Sequence, residues 1–134
     1  MEIIKTKRKF MAIACIMGGL AVIFGAFGAH WLANNLAAKQ LSSFKTGVLY
    51  HFIHVFAILF VISNLKKESE KGLIWAARFF LIGIFCFSGS LYLLSTRELL
   101  GLTFYKWLGP ITPIGGLFFI LAWFSAAKSF LTRE

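Results

Sequence analysis

The chain has 134 residues, of which 59% are apolar and only 14% charged. An ordinary soluble domain carries roughly 45–50% apolar and about 25% charged residues, so no polar surface can hide this excess. The composition excludes a soluble globular domain, a disordered chain and a coiled coil, and two Cys are too few for a secreted disulfide scaffold.

Four apolar stretches follow one another, Phe10 to Ala29, Gly47 to Leu65, Leu73 to Leu94 and Trp107 to Ala127. Each is close to the roughly 20 residues that cross a hydrocarbon core about 30 Å thick, and in lipid such stretches satisfy their backbone only as helices. The sequence therefore predicts an all-α fold, a single integral membrane domain over residues 1–134 built as a four-helix transmembrane bundle. The first stretch follows Lys5, Lys7, Arg8 and Lys9 like a signal peptide, but its apolar core exceeds the roughly 7–15 residues of such a segment, and it reads as a retained anchor. Between the first two spans, Ala33, Leu36, Ala37, Leu41 and Phe44 recur at helical spacing opposite Asn34, Asn35, Lys39, Ser42 and Lys45. This predicts a short interfacial helix within Trp31 to Thr46. The run from Lys66 through Glu68 to Gly72 reads as a solvated turn, and Ser95 to Lys106 as a connector in which Arg97 and Glu98 can pair.

Orientation follows from basic residues in short loops. One side collects Lys5, Lys7, Arg8, Lys9, Lys66, Lys67, Lys71, Lys128 and Arg133, and the other only Lys39, Lys45, Arg97 and Lys106. Both termini are expected in the cytoplasm, with Arg78 as a snorkelling anchor near the inner rim. The net charge of +9 is spread over termini and loops, without a basic stripe bearing interleaved aromatics, so nucleic acid is not an expected partner. A positive rim facing an anionic leaflet accounts for it.

In this topology the polar side chains gather in the outer leaflet. At 1.5 Å per residue His51 lies about 6 Å and His54 about 10 Å below the outer rim, with Ser88, Ser90, Tyr92 and Thr112 at about 3–9 Å and His30 at the rim itself. Gly47, Tyr50, His51 and His54 share one helical face and are expected to point into the bundle. On the fourth span Pro110 and Pro113 each remove a backbone donor, while Gly115 and Gly116 permit close approach. Carbonyls freed there need donors that His51, Tyr50, Ser88, Ser90 or Tyr92 can supply. Ala21, Gly25 and Ala29, with Gly28 beside them, form a small-residue stripe for helix packing, within the bundle or in a homo-oligomer. Cys15 and Cys86 differ in depth and read as small fillers.

Four runs occur in order: Gly25-Ala26-Phe27-Gly28-Ala29-His30, Thr46-Gly47 with Tyr50, His51 and His54, Phe87-Ser88-Gly89-Ser90-Leu91-Tyr92, and Gly109-Pro110-Ile111-Thr112-Pro113-Ile114-Gly115-Gly116. Together they resemble the YgdD/YwdK-type family of small bacterial inner-membrane proteins, a domain of unknown function, from about Gly18 to Trp123. Trp31 departs from the family pattern, which has Gly after the His. The resemblance implies a four-helix protein of the bacterial cytoplasmic membrane and carries no reaction with it.

Three functions compete. The first is a non-enzymatic membrane module that binds a lipid or membrane-protein partner, its polar cluster holding the helices together. The alternative is a small transporter, channel or proton-linked carrier using His51 and His54, against which the inner half offers no polar route. The third is a metal or haem protein. Three His without a thiol or carboxylate at their depth give it little support, and no cofactor or metal is expected. A catalytic triad is not supported either, since Ser88 or Ser90 with His54 lacks a carboxylate to orient the imidazole.

Overall fold

The computed structural model describes residues 2–67, 69–103 and 105–132, with the side chain of Tyr105 left out. Glu68 of the charged turn and Arg133 of the basic side lie outside the described residues.

Six α-helices make the four spans: α1 (Glu2–Ala29), α2 (Trp31–Asn35), α3 (Ala38–Ser63), α4 (Lys71–Gly83), α5 (Gly89–Thr96) and α6 (Leu108–Leu131). A π-helical turn, Ile84–Ser88, joins α4 to α5 into one 26-residue span, and a 3-10 turn, Tyr105–Trp107, precedes α6. No strand occurs among the described residues. The spans run longer than their apolar stretches because neither Pro nor Gly interrupts Glu2 to Lys9 or Ala38 to Thr46, and the helices propagate into polar sequence.

The short helix before the second span is smaller than its amphipathic pattern. It is the single turn α2, ending where Leu36 and Ala37 go extended, and the remainder of the pattern becomes the first turns of α3. The Ala37 N–H is met by the Gln40 side chain at 3.2 Å, so Gln40 caps the start of the longer helix. Ser95 is likewise no part of a connector: it lies buried in the last turn of α5.

α3 is the central helix, packed against α1 on one side and against α4, the π turn and α5 on the other, while α4 and α6 form the other close pair. Small side chains make these approaches, with Ala14, Ala21, Ala57, Ala76, Ala77, Ala122 and Ala126 all at most 4% exposed. Lipid is as apolar as the side chains it would replace, so close packing of small residues supplies the attraction. Gly25 and Gly28 of the α1 stripe serve this intramolecular contact. A Cβ on Gly28 would stand 3.1 Å from the Phe44 ring, and one on Gly25 would stand 3.5 Å from Val48.

Both chain ends share one end of the bundle. There Lys7 of α1 donates to the carbonyls of Ser63 (3.2 Å) and Leu65 (3.0 Å), capping α3, and Ser125 of α6 donates to the Gly72 carbonyl at 2.9 Å. The Glu70 carboxylate accepts the backbone N–H groups of Lys66 (2.6 Å) and Lys67 (3.1 Å), so the charged turn is tied by its own acid. Arg97 and Glu98 pair at 3.4 Å at the far end, and Arg78 lies over the Trp75 ring at 4.8 Å. Cys15 and Cys86 are both free thiols.

Candidate functional site

The polar side chains of the far half separate into three groups. Each belongs to a different helix contact.

In the first group His51 Nδ1 and the Tyr92 hydroxyl are 3.0 Å apart, joining α3 to α5. Gly47, one turn above His51, makes room for the tyrosine: a Cβ there would stand 3.0 Å from Tyr92 Cε1. Phe24 of α1 and Phe44 of α3 lie against the same ring, at 4.6 and 4.9 Å between centroids. A neutral imidazole and a phenol hold two mobile protons between them, and their mutual bond uses one. The pair therefore keeps one proton to donate, at His51 Nε2 or at the Tyr92 oxygen. His51 Nε2 is buried on the side of the Met17 backbone and makes no hydrogen bond of good geometry among the described residues.

The second group leaves nothing spare. His54 Nδ1 donates to the Tyr50 carbonyl at 2.7 Å, which makes Nε2 the acceptor, and the Trp123 indole N–H of α6 donates to it at 3.4 Å. The imidazole is stacked on Phe119, 3.5 Å between centroids and 4° from parallel, with Phe80 at 5.5 Å. Tyr50 lies at the margin, 38% exposed, its ring against Phe87 at 4.6 Å. Both imidazoles thus face protein, as their shared face with Gly47 predicts. The helical spacing of α3 does not point to Trp123 and Phe119, the partners that fix His54.

In the third group the hydroxyls of Ser90 and Thr112 meet at 2.6 Å between α5 and α6, and Ser90 also donates to the Phe87 carbonyl at 3.0 Å. Of the side-chain donors expected for the proline-freed carbonyls, His51, Tyr92 and Ser90 are thus engaged elsewhere. Pro110 needs no such donor: it is the third residue of α6, where a helix N–H has no intrahelical acceptor. Pro113 alone removes an interior bond. Gly115 carries the close approach, since a Cβ there would lie 2.8 Å from the Cα of Phe87 inside the π turn. Gly116 faces looser space, with Phe87 Cδ2 at 3.9 Å from its would-be Cβ. Ser88 is fully buried within that turn, and its hydroxyl, like that of Ser95, has no partner among the described residues. His30 is exposed and joins no group. Among the described residues, no three His, Cys, Asp or Glu side chains gather in a metal-binding arrangement.

Between α1 and α5, roofed by α2, runs an apolar groove of about 600 Å³. Six aromatic rings contribute to its lining, His51 and Tyr92 are its polar members together with Thr96, and no charged residue lines it. Gly89 opens the groove further, with nothing within 4 Å of where its Cβ would be. Composition and periodicity give no warning of this groove, because it depends on which helices are neighbours.

Four helices long and apolar enough to span a bilayer, packed through small residues and with their polar groups directed inward, define an integral membrane protein. Residues 24–116 match the family described as Protein of unknown function (DUF423), and the chain belongs to that family. It is 39% identical over 115 residues to the UPF0382 membrane protein YwdK of Bacillus subtilis, covering 85% of this chain and 89% of that one. It is 36% identical over 121 residues to a UPF0382 membrane protein of Haemophilus influenzae (90% and 92%), and 33% identical over 118 residues to the UPF0382 inner membrane protein YgdD of Escherichia coli (88% and 86%). No solved structure matches the chain significantly.

Proposed function

We propose that the protein is a non-enzymatic lipid-binding module of the bacterial inner membrane, with both termini cytoplasmic and the α1/α5 groove taking up one lipid from the outer leaflet. The observation that carries this reading is the groove itself: about 600 Å³, uncharged, with the hydrogen-bonded His51–Tyr92 pair in its wall. That volume falls within the roughly 300–1,000 Å³ of small-molecule sites. The name of the Escherichia coli relative supports the inner-membrane location. A structural role for the imidazoles is supported by the contacts they make, His51 joining α3 to α5 through Tyr92 and His54 joining α3 to α6 through Trp123. A carrier using both His residues is less well supported, because His54 is locked between Phe119 and Trp123 while His51 bonds to α5.

The test is lipid retention. Native mass spectrometry of the protein released from mild detergent is expected to show about one retained lipid per chain. Gly89→Phe, whose ring fills the groove, is expected to lose that lipid while keeping its helical circular dichroism. Equal retention by the variant refutes the groove as the binding site.

A further inference from the structure

We infer that the occupant of the groove is a lipid of the quinone class, a flat uncharged ring bearing carbonyl acceptors on an apolar tail; this rests on the groove reading above. Three features of the wall select that chemistry. First, a phosphate headgroup finds no cation there, whereas an uncharged ring loses nothing by entering uncharged surroundings. Second, the His51–Tyr92 pair lies about 6 Å below Gly47, where the apolar part of α3 begins. At that depth a polar headgroup would be dragged into hydrocarbon, but a quinone ring is itself largely apolar. Third, with the shared proton on His51 Nδ1 the Tyr92 hydroxyl is left with a proton to donate, and a carbonyl is the acceptor that matches it. Phe24 and Phe44, already against the Tyr92 ring, provide faces on which a flat ring can lie.

The proposal concerns binding alone. It assigns the Tyr92 hydroxyl, oriented by His51, to the carbonyl, the aromatic wall to the ring, and the apolar remainder of the groove, toward Met17, Leu20 and Ile84, to the tail.

The experiment is a binding titration of the full chain in detergent with a decyl-tailed benzoquinone. Bound quinone is counted by ultraviolet absorbance after gel filtration, with decyl alcohol and a short-chain phosphatidylcholine as competitors. Expected are saturation near one quinone per chain, at least tenfold weaker binding by Tyr92→Phe, abolition by Gly89→Phe, and little competition from either other amphiphile. If Tyr92→Phe binds as tightly as the wild type, or if decyl alcohol competes equally, the quinone assignment falls while a lipid groove survives. If Gly89→Phe retains every probe, the groove reading falls with it. Should Tyr92→Phe fail to fold, the competition series on the wild-type protein decides the assignment.

Discussion

His51 and His54 sit one turn apart on α3, and their hydrogen bonding makes them different residues. His54 has both nitrogens engaged and its ring flat against Phe119, so it acts as a polar rivet between α3 and α6. His54→Ala is expected to lower stability in detergent by about 1–3 kcal/mol, because the part-buried Trp123 indole N–H then faces apolar surroundings without an acceptor. A thermal melt followed by circular dichroism checks it, and an unchanged melting temperature would contradict the rivet. Helical spacing alone shows that both imidazoles point inward. It does not show what meets them, since Phe119 and Trp123 arrive from a helix 65 or more residues later in the chain. One signal was available for Trp123: an indole N–H within an apolar span needs an acceptor, and His54 is a suitable one.

At the scale of the elements, the π turn and Gly115 form a matched pair. A π turn carries one extra residue and displaces the local backbone, and here Phe87 comes so close to α6 that only glycine fits opposite. Gly115→Ala is expected to cost about 1–3 kcal/mol by forcing α6 away from the third span. Gly109→Ala, with open space at its Cβ, is expected to change little. Comparing the two melts separates loss of helix contact from any general effect of adding a methyl. The Gly115-Gly116 pair was readable as a place of close approach. The π turn was not, because its residues Ile84 to Ser88 have the same apolar pattern as the α-helix around them. The α2/α3 break was hidden for a related reason: Leu36 and Ala37 continue the amphipathic period while their backbone leaves it.

For the whole molecule, four spans and a shared end for the termini follow from hydrophobic length and an even number of crossings. The side of the membrane follows from where the cations stand. Reporter fusions at either terminus are expected to score as cytoplasmic, and a periplasmic score at both would invert the proposed topology. Neighbour order was not legible, since periodicity marks which face is buried and leaves unsaid which helix buries it. That order has a consequence for biogenesis. α1 packs chiefly on α3, with Lys7 closing the α3 end, and α4 packs chiefly on α6, so synthesis delivers two hairpins in succession. The groove is a seam between them, and it comes into being only when the second hairpin docks. A molecule lodged in a seam binds the assembled form alone and so draws the halves together by mass action. Co-expressed as two pieces, residues 1–68 and 69–134, the chain is expected to reassemble, and to do so less completely when Gly89→Phe denies the seam its occupant.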